Sequence, residues 1–450
     1  MNSHPLRGRR SAVLRYLPVI AAIGFGGALL LSQPVKATPI NLAPDRTLVW
    51  KDFLGVNAHF LWFTPQQYQQ QIAQYQKLGL EWVRVDLHWD RLEPSEGHYT
   101  LDSLDQLNQT LISSHLKSLF YMVGSAPFAT TAPVGAPYQD QYPPRDPQVY
   151  AQRMALLAKR YPDVDAWQVW NEQNLPNNWR PKVDPAGYAR LLLATTQALT
   201  AAAPGKTLVI GGMAYYSQMP DQGGGLMLQA LGQYGVQKLG AVAAYHPYSA
   251  TPETDTPGKN EVLLRGHQLN DMLHGAGITN IWATEWGWSS YAGPKEMQAI
   301  IGLDGQADYT LRRLALMSTL DYQRTFLFAL SDLDNRASAR DRGYGLLDLN
   351  GQPKPVYNAL ARFLKITGST LKPGTLPTIV NAPDSLYSVA WTREDGKHLW
   401  LYWSAEGTSL TLPDIKQATL FDPLTGTQLS LQSDNGIQPS VKPTLQIVVW

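Results

Sequence analysis

The sequence predicts an α/β fold: an eight-stranded (β/α)8 TIM barrel followed by a small C-terminal antiparallel β-sandwich. Between residues 54 and 364, short apolar runs alternate with amphipathic helical patterns, which predicts parallel strands joined by right-handed crossovers. Eight such units favour a closed barrel over an open sheet. After residue 364 the runs shorten and Pro/Gly turn clusters separate them, which is typical of antiparallel strands.

The first 37 residues predict a targeting segment that is not part of the fold. A basic start is followed by an apolar stretch at residues 17–31 and by Val35-Lys36-Ala37, which resembles a small-x-small cleavage site. The apolar stretch is short for a bilayer span, which needs about 20 residues. A cleaved signal peptide and an uncleaved inner-membrane anchor both stay open. Either one predicts a periplasmic or secreted location for the rest of the chain.

The barrel is expected over residues 38–364. Its strands are predicted at apolar runs, each of which is flanked by turn residues or by residues that begin a helix. These runs are residues 54–59, 82–86, 119–123, 166–170, 208–210, 242–245, 281–284 and 325–330. Thr64-Pro65, Asp146-Pro147 and Asp184-Pro185 predict helix starts, with a capping side chain before a proline at the first helical position. Gly79 predicts the end of the first of these helices.

The sandwich is expected over residues 365–450. Its predicted strands are the alternating runs at residues 387–391, 398–403, 409–412, 418–421 and 445–449. The segment Asp422-Pro423-Leu424-Thr425-Gly426 predicts a turn between two of them. Trp391, Trp400 and Trp403 are expected in its core or against the barrel, and we expect the sandwich to be a rigid companion of the barrel that binds no sugar by itself.

Composition excludes several classes of function. The 37 basic and 36 acidic residues nearly balance, so no basic surface for nucleic acid is expected. The sequence has no cysteine, which excludes disulfides, thiolate metal sites and a cysteine nucleophile. It contains neither a His-x-x-x-His zinc motif nor a Gly-x-Ser-x-Gly nucleophile elbow. We therefore expect no metal and no cofactor.

Two glutamates follow predicted strands at the end where barrel enzymes place their catalytic residues. Glu172 lies in Trp170-Asn171-Glu172-Gln173-Asn174 after the fourth run, and Glu285 lies in Thr284-Glu285-Trp286-Gly287-Trp288 after the seventh. The fourth and seventh strands of a barrel stand on nearly opposite walls, so both carboxylates can point into one central cleft. A single glutamate after a strand is usually a helix cap or a surface charge, but two at these positions predict a paired-carboxylate site.

These motifs, together with His246-Pro247-Tyr248, resemble clan A of the glycoside hydrolases, and they are most similar to family 39. Within that family, the closest resemblance is to the endoglycosidases of Psl-type bacterial biofilm exopolysaccharide systems. It covers roughly residues 50–450, and family 5 carries much the same pair of motifs. The resemblance implies that Glu172 is the acid/base and Glu285 the nucleophile of a retaining hydrolase, because glycosidic cleavage needs one carboxylic acid and one carboxylate.

The resemblance also implies substrate-binding roles for residues near these two glutamates. Asn171 would hydrogen-bond the 2-hydroxyl of the sugar, and Arg84 would pair with Glu285 and keep it ionised. His246 or Tyr248 would donate to the nucleophile. Trp286 and Trp288 could stack on sugar faces, and His59 and Trp89 are candidates for the rim. Packing roles stay open for His59, His246 and Trp286, and Arg84 could instead pair with Asp86 or Glu172.

The function expected from the sequence is therefore endo-acting hydrolysis of a bacterial exopolysaccharide by a monomeric enzyme. The partner is a polysaccharide or oligosaccharide, with inner-membrane association through residues 1–37 if these are uncleaved. A family 5-like β-glucanase or a transglycosidase would use the same residues. An alternative of another class is a non-catalytic glycan-binding protein in polysaccharide export. Release of reducing sugar, or growth of the chains, would distinguish these functions.

Overall fold

The structure, a computed structural model, describes residues 38–214, 227–255, 260–294 and 299–450. Eight parallel strands close into a barrel in chain order, and the eighth pairs with the first. From the first to the eighth they are Leu54–Asn57, Trp82–His88, Lys117–Val123, Ala166–Asn171, Thr207–Ala214, Ala243–His246, Ile281–Trp286 and Arg324–Leu327. Each overlaps one of the eight predicted runs, so the predicted barrel is confirmed.

A helix follows each barrel strand. In order, these helices are Pro65–Gln76, Asp102–Ser113, Pro147–Arg160, Pro185–Ala202, Met227–Gly232, Glu261–Gly275, Gly302–Thr319 and Pro355–Thr367. The connections of the described chain also contain the short helices Trp50–Phe53 and Trp89–Leu92 and the 3₁₀ turns Phe60–Trp62, Gln139–Gln141, Val236–Leu239 and Asp341–Gly343.

The three predicted helix starts lie where the Pro-containing motifs placed them. Thr64 forms a capping box with Gln67, in which the threonine side chain accepts from the Gln67 N–H. Asp146 accepts from the Gln148 N–H, and Asp184 from the Gly187 N–H. Such caps satisfy N–H groups that have no partner inside the helix, and each typically stabilises the folded protein by about 1 kcal/mol. They fix where each helix leaves the catalytic end of the barrel.

The interior of the barrel is apolar towards the amino ends of the strands and polar towards their carboxyl ends. A separate buried cluster fills the apolar part: Trp82, Leu119, Ala166, Val209, Val242, Ala244, Trp282 and Phe326. The Arg324 guanidinium covers it from below, 3.6 Å from the ring centre of Trp82 and 4.6 Å from that of Trp282. The core therefore supports the polar layer above it, as in other barrels of this type.

The C-terminal part forms a mainly antiparallel sheet, in agreement with the predicted sandwich. Its strands are Thr370–Pro373, Tyr387–Arg393, His398–Trp403, Gln417–Asp422, Thr427–Gln432 and Gln446–Val449. One face, with Trp391, Leu401 and Trp403, packs into the main core, while Trp400 and Tyr402 on the other face lie in a second buried cluster. Bridges between residues 380 and 411, 409 and 440, and 412 and 437 belong to segments that cover this second cluster.

Three details of this sheet differ from the prediction. The run at residues 409–412 forms isolated bridges instead of a strand, and the strand Thr427–Gln432 was not predicted. Residues before the barrel also contribute, although the barrel was expected to begin at residue 38. Ile40–Leu42 pairs with Tyr387–Arg393 in parallel, and Leu48–Val49 pairs with Thr370–Pro373.

Barrel and sheet belong to one compact unit that spans Ala37–Trp450. The indole Nε1 of Trp403 in the sheet donates to Glu253 Oε1 at 2.9 Å, and Arg312 Nη1 on a barrel helix donates to the same oxygen at 2.6 Å. Tyr387 stacks on Trp403 with ring centres 5.1 Å apart. The sheet is therefore joined to the barrel by a buried polar contact as well as by apolar packing.

The predicted signal peptide or membrane anchor, residues 1–37, lies outside the described residues. None of the helices in the described part of the chain has the length and apolar character needed to cross a membrane.

Candidate active site

The two predicted glutamates meet at the carboxyl end of the barrel. Glu172 directly follows the fourth strand and is half-buried, whereas Glu285 lies near the end of the seventh strand and is 7% exposed. One carboxylate oxygen of each lies within 4.8 Å of the other. Carboxyl groups of retaining glycosidases stand about 5–5.5 Å apart, and those of inverting enzymes about 6.5–9.5 Å. The close approach of the two carboxylates resembles the spacing of retaining enzymes more than that of inverting ones.

Arg84 organises the floor of the cleft. It is 1% exposed. Its Nη1 donates to Glu285 Oε1 at 2.7 Å and to Asn57 Oδ1 at 2.6 Å, its Nη2 to Asn171 Oδ1 at 2.7 Å, and its Nε to Gln168 Oε1 at 3.1 Å. The Tyr121 ring packs under the guanidinium, 3.7 Å from ring centre to Cζ. A planar guanidinium with donors in a fixed fork is suited to such a set of acceptors.

This environment keeps Glu285 ionised. Burial by itself would raise the pKa of Glu285, but the charges of His246, when protonated, and of Arg84, with the Arg84 hydrogen bond, outweigh it and hold the pKa below its usual value. Tyr248 O–H donates to Glu285 Oε2 at 3.3 Å. Burial, followed by the negative charge of Glu285, raises the pKa of Tyr248 well above its usual value, so Tyr248 remains a proton donor.

His246 lies between the two carboxylates. Its Nδ1 is 2.9 Å from Glu172 Oε1 and 3.5 Å from Glu285 Oε2, and its Nε2 is 3.1 Å from Thr284 Oγ1. The imidazole is fully buried and packs over Gly212, where an added Cβ would overlap the ring. A glycine in this strand therefore makes room for the histidine.

The backbone around Glu172 adopts an uncommon conformation. Trp170 and Glu172 have φ of +69° and +48°, a left-handed region that non-glycine residues enter at a cost of about 1–3 kcal/mol each. Hydrogen bonds hold both: Gln168 Nε2 donates to the Trp170 carbonyl at 2.9 Å, and the Glu172 N–H donates to the Gly212 carbonyl at 2.8 Å. Asn178 Nδ2 then holds Glu172 Oε2 at 3.1 Å. Hydrogen bonds thus hold both the backbone and the carboxylate of Glu172.

His59 lies near Glu285, on the first strand's side of the cleft. It is half-buried, and its ring contacts Phe328 edge-on with ring centres 5.3 Å apart. Its charge, when the ring is protonated, contributes to the lowered pKa values of Glu285 and Asp86. Nδ1 of His59 makes no hydrogen bond to the described residues. The rim role of His59 stays a prediction, because the ring is only half-buried but its unpaired Nδ1 is itself buried.

Three predicted sugar-binding tryptophans are not available to a ligand. Trp286 is completely buried, because neighbouring side chains of a strand face opposite ways and Glu285 faces the cleft. Trp288 is 2% exposed, donates from Nε1 to the Ser249 carbonyl at 3.1 Å and packs against Arg313. Trp89 is 1% exposed and donates to Glu93 at 2.8 Å. The predicted stacking roles of Trp286 and Trp288, and the rim position of Trp89, are therefore wrong.

Glu172, His246 and Glu285 offer three ligand atoms within 4.8 Å of one another, a spacing that also suits a cation. The lone pairs already have partners: Arg84 holds Oε1 of Glu285, Asn178 holds Oε2 of Glu172, and the His246 Nδ1 faces the other two oxygens. A fixed guanidinium charge beside one ligand disfavours a second cation. The arrangement fits proton transfer better than metal binding.

The sequence analysis missed several residues of this site: Asn57, Tyr121, Gln168, Asn178 and Gly212. Two of them left a detectable signal. Gln168 is an uncharged polar residue inside an otherwise apolar strand, and Gly211-Gly212 is a glycine pair inside another. Polar residues in buried strands need partners, and strand glycines indicate a close approach. The partners of Asn57 and Tyr121 are distant in sequence. Asn178 contacts Glu172 and Trp170, six and eight residues away, from a loop that had no local pattern.

The site and the fold together define a (β/α)8 barrel with a carboxylate pair at the ends of strands four and seven. No protein-family model matches the chain, and no curated protein matches it in sequence. Solved structures do match it. A family 39 glycoside hydrolase from the gut symbiont Bacteroides cellulosilyticus WH2 superimposes with a TM-score of 0.68 at 21% identity, over 92% of this chain and 82% of that one.

Two further structures show the same fold. A family 39 β-xylosidase from Caulobacter crescentus has a TM-score of 0.61 at 15% identity, over 92% of this chain and 99% of that one. The catalytic domain of family 30 xylanase C from Talaromyces cellulolyticus has a TM-score of 0.56 at 12% identity, over 91% and 98%. The chain therefore has the fold of glycoside hydrolases of families 39 and 30, including the C-terminal sheet.

Proposed function

We propose that this protein is a retaining glycoside hydrolase. The observation that carries the proposal is the pair of carboxylates within 4.8 Å of each other, of which one is paired with a buried guanidinium. Glu285 is ionised and positioned for attack, and Glu172 is the more exposed of the two. Two carboxyl groups in unequal environments are what acid and nucleophile roles require.

The reaction follows from this geometry. Glu285 attacks the anomeric carbon while Glu172 gives its proton to the departing glycosidic oxygen, so the C–O bond breaks as a glycosyl ester forms. Glu172, now a carboxylate, removes a proton from water, which attacks the same carbon and releases Glu285. His246 Nδ1 faces both carboxylates and can donate to the one that carries the charge, and Tyr248 donates to Glu285. Asn171, fixed by Arg84, is placed to hydrogen-bond the 2-hydroxyl.

The substrate we propose is a bacterial exopolysaccharide of the Psl type, cleaved internally. Support comes from the sequence motifs around Glu172, His246 and Glu285. Structural neighbours include a β-xylosidase and xylanases, so a β-linked polysaccharide is consistent with the shared fold. We also propose that the enzyme acts outside the cytoplasm, supported by the basic and apolar pattern of residues 1–37.

The test is release of reducing ends from a panel of purified polysaccharides: Psl-type exopolysaccharide, mannan, xylan and mixed β-glucan. We expect the wild type to shorten the first of these and Glu285→Gln to be inactive on all of them. A glycan-binding protein would bind one of them without releasing reducing ends, and a transglycosidase would lengthen chains. Either outcome would contradict hydrolysis as the function, and release from xylan alone would contradict the proposed substrate.

A further inference from the structure

An exposed tyrosine lies on the long connection between the third barrel strand, Lys117–Val123, and the helix Pro147–Arg160. Tyr138 is 64% exposed, and Val134 on the same connection is fully exposed. Connections that leave the carboxyl ends of barrel strands surround the catalytic cleft. Tyr138 therefore belongs to the wall around the two glutamates.

The Tyr138 ring is held in place from one side. The Arg180 guanidinium lies 5.2 Å from its ring centre, within the range of a cation–π contact. Arg180 itself is fixed by Gln141, because its Nε donates to the Gln141 side chain and its backbone N–H to the Gln141 carbonyl, both at 2.9 Å. The cation covers one face of the ring and leaves the other face to solvent.

The backbone also orders this tyrosine. Tyr138 has φ of +56°, in the left-handed region that bulky residues rarely adopt. Single exposed aromatic residues need no explanation by themselves. A ring that is oriented at a conformational cost, yet buries little apolar surface, is better suited to contact a ligand than to stabilise the fold.

Arg180, which holds the Tyr138 ring, lies on the connection after the fourth strand, and the same connection holds Glu172. Asn178, two residues before Arg180, donates to Glu172 Oε2 at 3.1 Å, and its carbonyl accepts from Trp170 Nε1 at 2.8 Å. Because Glu172 protonates the leaving oxygen, its surroundings meet the leaving part of the substrate. His59, in contrast, lies on the nucleophile's side, where the attacked sugar binds.

We infer that Tyr138, backed by Arg180, is a stacking platform for a sugar ring on the leaving-group side of the cleft, which would bind the chain beyond the scissile bond. The inference rests on the proposed glycosidase function and deepens it. The open face of an aromatic ring binds the C–H face of a pyranose, so the ligand is a neutral stretch of β-linked polysaccharide. A platform there favours substrates whose leaving group is a chain of sugars over substrates with a small leaving group.

The experiment compares two substrates that differ only beyond the scissile bond. The first is the β-glycosyl fluoride of mannose, glucose or xylose, whose one-atom leaving group cannot reach Tyr138, and the second is the β-1,4-linked hexasaccharide of the same sugar. For Tyr138→Ala we expect the ratio of kcat/KM on the hexasaccharide to kcat/KM on the fluoride to fall about fivefold, the size of a lost aromatic stacking contact. Tyr138→Phe, which keeps the ring, should retain the ratio.

Tyr234→Ala is the matched control. Tyr234 is also exposed, at 45%, but it lies on the connection that leads into the amino end of the sixth strand, away from the cleft. For Tyr234→Ala, the ratio of kcat/KM on the hexasaccharide to kcat/KM on the fluoride should equal that of the wild type. An unchanged ratio in Tyr138→Ala, or an equal loss on both substrates, would overturn the platform while leaving the hydrolase proposal intact. A wild type inactive on every fluoride and hexasaccharide, and on the Psl-type exopolysaccharide as well, would overturn the proposed function and the platform with it.

Discussion

The Arg84 guanidinium lies 2.7 Å from the Glu285 carboxylate, and the two side chains are only 1% and 7% exposed. In such a site the pair is weakly screened by salt, and loss of one partner leaves an uncompensated buried charge. Arg84 also holds Asn57, Gln168 and Asn171. Arg84 therefore helps to lower the pKa of Glu285 and also fixes the position of the neighbouring side chains.

The first prediction concerns the acid side of the pH–activity profile. Because the pKa of Glu285 is lowered, this carboxylate stays ionised at pH values where an ordinary glutamate, with a pKa of about 4.3, would already be protonated. The acid limb of kcat/KM for the wild type should therefore lie below that value. Arg84→Gln should move the limb upward, since burial then acts on Glu285 with less compensation. Arg84→Lys keeps the positive charge but loses the planar set of N–H donors. It should shift the acid limb less than Arg84→Gln does, while lowering kcat.

A limb at the same pH in the wild type and in Arg84→Gln would show that Arg84 does not hold the charge of Glu285. Circular dichroism of each variant serves as the control for folding, because a buried unpaired carboxylate can also destabilise the protein.

The second prediction separates the roles of the two glutamates. Glu172→Gln should lower kcat about 10²–10⁴-fold on a polysaccharide, whose leaving group needs a proton. On a 2,4-dinitrophenyl glycoside, whose leaving group departs without one, the loss in glycosylation should be much smaller, and added azide should restore turnover. Glu285→Gln should be inactive on both. Equal losses in both variants and on both substrates would show that Glu172 is not the acid.

The third prediction uses the close contact of Gly212 with His246. An added Cβ would overlap the imidazole and lie 2.6 Å from Thr284 Oγ1, so the buried ring must shift from the position in which its Nδ1 faces the two carboxylates. Gly212→Ala should therefore lower kcat at least tenfold, with a loss of unfolding free energy of about 1–3 kcal/mol. Gly275→Ala at the end of the helix Glu261–Gly275 is the control, because nothing lies within 4 Å of its added Cβ. Wild-type kcat in Gly212→Ala would mean that the position of His246 does not matter.

Much of the fold could be predicted because barrel strands and helices carry local patterns. Apolar runs located all eight strands, and Asp146-Pro147 and Asp184-Pro185 located two helix starts. The strand Thr427–Gln432 was missed because most of its side chains are exposed, which leaves no apolar alternation to detect. Ile40–Leu42 and Leu48–Val49 were missed because they are very short and their partners lie more than 300 residues away.

The site was only partly predictable, for a related reason. The position of Glu285 after an apolar run identified a carboxylate at the catalytic end of the barrel. It did not say that Trp286, one residue later, faces the opposite way and packs against protein. Side-chain direction depends on the register of the strand, and a short apolar run leaves the register undetermined. The hydrogen bonds of Arg84 to Asn57 and Asn171 depend on barrel closure, which no local pattern encodes.

The fourth prediction tests the contact between sheet and barrel. Trp403→Phe keeps the aromatic packing on Tyr387 but removes the indole N–H that donates a hydrogen bond to Glu253. Since hydrogen bonds to a buried charged group contribute about 1.5–3 kcal/mol, the free energy of unfolding in urea should fall by about that amount, while kcat should stay near wild type. Trp400→Phe is the comparison, because it removes an indole hydrogen bond to Ser388 that lies within the sheet and does not join the sheet to the barrel. An unfolding midpoint unaffected by Trp403→Phe would mean that Glu253 and Arg312 hold the barrel loop without the sheet.

The last prediction is net retention of anomeric configuration. One carboxylate oxygen of Glu172 and one of Glu285 lie within 4.8 Å of each other, whereas the carboxyl groups of an inverting enzyme stand about 6.5–9.5 Å apart to hold a water between base and sugar. The first-formed product should therefore carry the anomeric configuration of the substrate when followed by ¹H NMR in the minutes before mutarotation. A 2-deoxy-2-fluoro glycoside should trap Glu285 as a glycosyl ester, visible as a mass increase on the peptide that contains it. An inverted first product would contradict double displacement even if both glutamates proved essential, and a label on Glu172 would exchange the two roles.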